Sequence, residues 1–161
     1  MEKVVLLFNL NRHQFDYETE FDSEYTIDSI HDALKDKYEV VRIEADKEFS
    51  WISKLNKVNP KLIFNICEGF NGPARESVYA AILEQYKYNY SGPDSTNLLV
   101  CHNKYLSKNI LKKDVLCPFG YVIETEEELN NIKIDKYPCI VKFNSEGSSL
   151  GMTSKSIVNN E

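Results

Sequence analysis

Apolar and polar residues follow two alternating rhythms along the first ninety positions. "KVVLLF" (3–8) is a nearly unbroken apolar run of strand length, the pattern of a strand covered on both faces. After a polar loop, Ile27, Ile30, Leu34 and Tyr38 recur at spacings of three and four within "YTIDSIHDALKDKY", which predicts an amphipathic helix with Ser23 or Thr26 as its N-cap. "YEVVRIEA" (38–45) reads as a second strand. "KEFSWISKLNKV" repeats apolar positions at Phe49, Ile52 and Leu55 and predicts a second helix, ended by Pro60. "KLIFNI" (61–66) is a third strand, and "RESVYAAILEQYKY" (75–88) places Val78, Ile82, Leu83 and Tyr86 on one helical stripe. "YNYSGP" then gives a short strand and a turn. Strands alternating with helices predict a parallel, right-handed α/β sheet.

The rhythm changes after Pro93. Two short helical patterns, "STNLLVC" and "NKYLSKNILKK", precede "CPFGYVI" and a capping-box pair, Thr125 and Glu128. "PCIVKF" and the alternating "MTSKSIV" flank a Gly and Ser loop, which predicts a hairpin. The expected organisation is a parallel-sheet, Rossmann-like α/β domain over 1–93 and a small α+β unit over 94–161.

Composition narrows the function classes. The 161 residues are 42% hydrophobic and 27% charged, an ordinary globular balance. A net charge of -6 argues against nucleic acid or an anionic membrane surface as a general partner. No stretch reaches the ~18 apolar residues of a membrane span, and a cytoplasmic location is expected. The four cysteines, Cys67, Cys101, Cys117 and Cys139, are scattered without a CxxC pair, so neither a disulfide framework nor structural zinc is expected. Cys101 beside His102 does not suggest thiol catalysis, because sequence neighbours on a helix point to different faces.

Candidate chemistry gathers in the last third. In "NSEGSSLG", residues Gly147, Ser148, Ser149 and Gly151 can turn several backbone N–H groups toward one point, the geometry of an anion nest. Taken alone, the segment also fits an ordinary hairpin. Lys142, set between Val141 and Phe143, either snorkels its ammonium past the sheet edge or, five residues before Gly147, shares a polyphosphate with the loop. Lys104 and Lys108 share one helix face and read most simply as a solvated stripe.

In order and spacing, "SGPDSTNLLVCHNKYLSKNILKK" and "YPCIVKFNSEGSSLGMTSKSIV" resemble the ATP-grasp ligases, of the D-alanine–D-alanine ligase type. "LIFNICEGFNGPARESVYAAILEQYKYNYSG" resembles the third strand, loop and helix of that family's N-terminal, pre-ATP-grasp domain. The resemblance implies a fold in which residues 1–93 form the substrate domain and 94–161 the first, incomplete ATP-grasp subdomain. By position it makes Lys104, Lys142, Glu146, Gly147, Ser148 and Ser149 the group around the ATP phosphates, with Ser148 catalytic, and puts Glu68 and Gly69 at the first substrate. It implies phosphorylation of a carboxylate by ATP and attack by an amine, with amino acids or small peptides as substrates.

Departures from the family pattern are specific. Asn103 stands where the family commonly has Asp, and Glu68-Gly69 where the D-alanine enzymes commonly have His-Gly. An acidic Glu68 either alters the polarity around the first substrate or caps and solvates its loop. The first strand enters "NLNRHQFDYETEF", without the glycines of a dinucleotide-binding turn. Glu18 or Glu20 there either binds a substrate ammonium or belongs to a solvated acidic loop. The family's Mg²⁺ ligands would follow residue 161, so this chain alone is expected to be a poor ligase. The alternatives are a non-catalytic nucleotide- or substrate-binding module, or one subunit of a split ligase, with a homodimer also open.

Overall fold

A computed structural model describes residues 1–134 and 136–160. The chain divides into two compact units, Met1–Leu99 and Val100–Glu161.

In the first unit, strand β1 (Lys3–Phe8) lies between β2 (Glu39–Glu44) and β3 (Leu62–Ile66), all parallel, in the order β2-β1-β3. Val5 of β1 faces Val41 on one side and Ile63 on the other, which fixes the register. As the sequence pattern requires of a central strand, Val4 to Phe8 are all buried. Side chains alternate across the sheet, so β1 supplies two cores. Val5 and Leu7 pack with Ile43, Trp51, Leu55, Ile63, Tyr79 and Leu83 under helices α2 (Trp51–Val58) and α3 (Arg75–Gln85). Leu6 and Phe8 meet Ile27 of α1 (Glu24–Leu34) on the other face. Helices thus cover both faces of a parallel sheet, the α/β class expected. Each fully buried Leu, Ile or Val in these clusters stabilises the fold by about 1.5–3 kcal/mol.

Local chemistry trims the expected helices. Ser23 is the N-cap of α1, its Oγ accepting the N–H of Thr26 at 3.2 Å. That helix stops at Leu34 rather than Tyr38, in a turn whose Lys37 and Tyr38 N–H groups both bond to Leu34 O. Helix α2 begins at Trp51, four residues later than the periodicity suggested. Asp46 holds the N–H of Ser50 at 2.8 Å, and Phe49 takes a left-handed conformation with φ 58°. Left-handed Asn59 then closes α2 ahead of Pro60. The stripe expected on α3 is rotated: Val78 and Tyr86 are exposed, while Arg75, Tyr79 and Leu83 face inward with Ala80. Tyr79 stacks on Trp51 at 5.6 Å between ring centroids, and that large contact sets the helix rotation. "YNYSGP" contributes a single parallel bridge from Tyr90 to Ile63 in place of a strand.

After α4 (Ser95–His102), the second unit contains α5 (Lys104–Leu111), α6 (Glu126–Asn131) and an antiparallel pair, β4 (Cys139–Ile140) with β5 (Ile157–Val158). Thr125 and Glu128 form the expected capping box at the start of α6. The hairpin is far shorter than the alternation suggested. Thr153 and Ser156 cap each other across a 3₁₀ turn, Ser154–Ser156, which removes that segment from the ladder. Among the described residues of this unit only His102 is buried, and no apolar side chain is.

Candidate functional site

In parallel sheets, ligands meet the loops that follow the strands, and this chain concentrates polar groups there. Asn9, directly after β1, is 1% exposed. Its Nδ2 donates to Ala45 O at 2.8 Å, beyond β2, and its Oδ1 accepts the N–H groups of Glu68 at 2.9 Å and Gly69 at 3.0 Å, beyond β3. One amide therefore joins the ends of all three strands. Its sequence signal, a polar residue closing an apolar run, was visible in "FNL" but carried no spacing to single it out.

The loop after β1 is organised by the two glutamates that the sequence left between a ligand role and a solvated loop. The structure corrects the solvated reading. The Glu18 carboxylate is buried and accepts the N–H groups of Arg12 and Gln14, each at 3.0 Å. These bonds, that from Gln14 first, hold its carboxyl below the usual range. Glu20 pairs with Arg75 at 2.5 Å, both side chains 8% exposed. Sequence spacing gave no hint of this pair, because its partners lie 55 residues apart. Arg12 forms a bidentate pair with Glu44, at 2.5 and 2.7 Å.

Glu68 and Gly69 sit at the same edge. Burial pushes the Glu68 carboxyl up to about 7; repulsion from Glu76, Glu20 and Asp22 adds to it and Arg75 opposes. Gly69 has φ 81°, and a Cβ there would lie 2.5 Å from Arg75 O, so only glycine fits. Around this edge Tyr17, Phe21 and Phe70 pack edge-on, and the Lys47 ammonium lies 4.0 Å from the Tyr17 ring centre and 5.3 Å from that of Phe70. Loops after β1, β2 and β3 each contribute one member of that cation–π group. Cys67 is buried and its thiol is pushed up by burial, which suits core packing rather than nucleophilic chemistry.

The second unit holds the residues that the sequence placed around a phosphate. Asn103 caps α5, its Oδ1 accepting Leu106 N–H at 2.8 Å. Lys104, first residue of that helix, directs its ammonium to Glu146 O and, at 3.5 Å, to Asn144 O. The structure therefore brings Lys104 and Glu146 together. Lys142 lies exposed, two residues beyond β4, outside the strand expected for it.

The loop between β4 and β5 is two successive turns. Leu150 N–H bonds to Gly147 O at 2.9 Å and Met152 N–H to Ser149 O at 3.0 Å. Positive φ falls on Ser148 (46°), Ser149 (57°) and Gly151 (70°), so the first turn has two serines where glycine or asparagine is usual. A Cβ on Gly151 would overlap the Phe143 ring. The backbone N–H groups of Gly147, Ser148, Ser149 and Gly151 make no hydrogen bond among the described residues. Chemically the loop offers a row of unspent donors near one ammonium. Among the described residues no group of His, Cys, Asp or Glu is arranged to hold a metal ion, and no helix is long and apolar enough to cross a membrane.

A parallel sheet covered on both faces, followed by a helical unit with a Gly and Ser loop between short antiparallel strands, is an arrangement shared with D-alanine–D-alanine ligases of known structure. The structure superposes over its whole length on 59% of the D-alanine–D-alanine ligase of Helicobacter pylori (TM-score 0.67, 22% identity) and on 50% of that of Bacillus anthracis (TM-score 0.71, 21% identity). A Bacillus anthracis D-alanine–D-alanine ligase complexed with ATP also matches, with TM-score 0.63 and 19% identity over 51% of its chain. In sequence, this chain is 37% identical over 119 residues to a D-alanine–D-alanine ligase of Wolbachia pipientis, covering 71% of this chain and 36% of that protein. It is 31% identical over 121 residues to D-alanine–D-alanine ligase A of Bacillus cereus, covering 73% and 39%. No family model matches. The chain is a relative of the D-alanine–D-alanine ligases, and the resemblance seen in its sequence is borne out; it spans about a third of the length of the curated relatives it matches.

Proposed function

We propose that this chain is the N-terminal portion of an ATP-dependent carboxylate–amine ligase that acts in the cytoplasm on amino acids or small peptides. Residues 1–93 serve as substrate domain and 94–161 as the first part of the ATP-binding unit. The observation that carries this reading is the row of unspent N–H groups at Gly147–Ser149 beside the Lys104 ammonium, in a chain related to ligases. Phosphoryl transfer is mainly positioning and charge neutralisation, and these are the parts it needs.

In this reading a substrate carboxylate oxygen attacks the γ-phosphorus of ATP and ADP leaves. An amine then attacks the acyl phosphate carbon, phosphate departs, and a proton is lost to give the amide. Lys104 and Lys142 hold the phosphates, Glu146, Gly147 and Ser149 form the covering loop, and the Ser148 hydroxyl touches the reacting group. Glu68 and Gly69 border the first substrate. Mg²⁺ would share the phosphate charge, but no described cluster here fits it, and no step is assigned to it in this chain.

The test is titration with ATP of the parent, Lys104→Ala and Lys142→Ala. Each lysine contributes a charge-assisted contact of about 1.5–3 kcal/mol, so each variant should bind roughly ten- to a hundredfold more weakly. Parent-like affinity in both would refute the phosphate site. A second reading, one subunit of a split ligase or a binding module completed by a partner, draws on the apolar side chains left exposed in the second unit, Leu116 and Phe119 foremost. Amide formation only after mixing with a second polypeptide would favour it.

A further inference from the structure

The first turn of α5 is completed from 40 residues away. The N–H of Lys104 donates to Asn144 O at 3.0 Å, and the N–H of Tyr105 donates to Asn144 Oδ1 at 3.0 Å. A helix start leaves its first N–H groups without intrahelical partners. Asn103 satisfies that of Leu106 as an ordinary N-cap, while Asn144 satisfies the two before it with its main-chain and side-chain oxygens. The same main-chain oxygen lies 3.5 Å from Lys104 Nζ, and Glu146 O accepts from that ammonium. The lysine is therefore drawn to the segment that leads into Gly147–Ser149, whose N–H groups are unspent.

We propose that Asn144 is a positioning residue for nucleotide binding, a clasp that fixes residues 144–149 against the start of α5 and so sets the separation between the Lys104 ammonium and the loop N–H groups. The proposal rests on the reading of Lys104 as a phosphate ligand. Asn144 O and Glu146 O, both main-chain carbonyl oxygens, lie against the ammonium. A phosphate oxygen, being charged, makes the stronger hydrogen bond and takes the lysine over with little movement. Asparagine suits the position because it supplies a second acceptor without a charge. Aspartate would hold the same N–H of Tyr105 yet set a negative charge beside the phosphates, and alanine would leave that N–H to water.

The test compares Asn144→Ala, Asn144→Asp and Lys104→Ala by two readouts: amide exchange at Tyr105 without nucleotide, and titration with ATP. Loss of a cap of ~1 kcal/mol should speed Tyr105 exchange about fivefold in the alanine variant. Asn144→Asp should keep Tyr105 protected, and both Asn144 variants should bind ATP about tenfold more weakly. A merely structural cap would leave ATP affinity intact in Asn144→Ala, and that result overturns the proposal. Unchanged Tyr105 exchange in Asn144→Ala also overturns it, because no clasp then exists. Parent-like ATP affinity in Lys104→Ala, or no ATP binding by the parent, instead removes the reading of Lys104, and the positioning role falls with it. Weakened binding in Lys104→Ala beside normal binding in Asn144→Ala refutes the positioning role alone.

Discussion

Glu68 should make the first unit less stable as pH rises through neutrality. Its carboxyl titrates near 7 in the folded chain against an ordinary 4.5, chiefly because burial disfavours the charge. Between those values the folded state binds more protons than the unfolded one, so the stabilisation is complete below pH 4.5 and is lost as pH climbs through 7. Converted at ~1.4 kcal/mol per tenfold change in acidity, the difference is at most about 3 kcal/mol. Glu68 is only half-buried, and solvent screening reduces this to roughly 1–2 kcal/mol. The neutral isostere Glu68→Gln removes the ionisation, so the variant should be about 1–2 kcal/mol more stable than the parent at pH 8 and nearly equal at pH 4.5. Burial also raises the Asp22 carboxyl, while Glu18, held low by its hydrogen bonds, pulls the other way. Only the difference between variant and parent therefore isolates Glu68. Urea unfolding at several pH values reports it through Trp51, the single tryptophan, fully buried in the first unit's core. Identical pH slopes for the two proteins would refute the reasoning.

Three further outcomes are expected from the same unit. Asn9→Ala removes a buried amide that serves three backbone groups, and urea midpoints should show a loss of about 1–3 kcal/mol. Glu20→Gln takes the Glu20 carboxylate away from the buried Arg75 guanidinium and should cost about 3–5 kcal/mol. The paired replacement Glu20→Leu with Arg75→Met should recover much of that, and a double-mutant cycle checks it. Lys47→Met should cost only about 0.5–1 kcal/mol, because the cation–π contact is exposed, and added salt should change the parent little more than the variant.

The strands were legible because β1 is covered on both faces and must be apolar throughout, the pattern that "KVVLLF" shows at strand length. The start of α1 was legible because Ser23 caps it locally. The rotation of α3 was not, since Tyr79 turns inward to meet Trp51, a contact across 28 residues that no periodicity encodes. The hairpin was overread for a related reason: strict alternation in "MTSKSIV" suits a strand, but Thr153 and Ser156 satisfy each other's backbone locally. At the candidate site, glycines and lysines announced themselves by type and spacing. Asn9, Arg75 and Asn144 did not, because each acts through partners distant in the chain.

The uneven distribution of buried apolar side chains means that this chain has no single free energy of unfolding. Val4 to Leu83 hold the whole of the described apolar core, whereas Val100 onward holds none of it. Heat or denaturant then acts on two bodies with unlike cooperativity, and the all-or-none approximation applies to the first of them only. The second unit's transition should be broad, with little heat capacity change, because that change follows apolar surface newly exposed to water and most of this surface is exposed already.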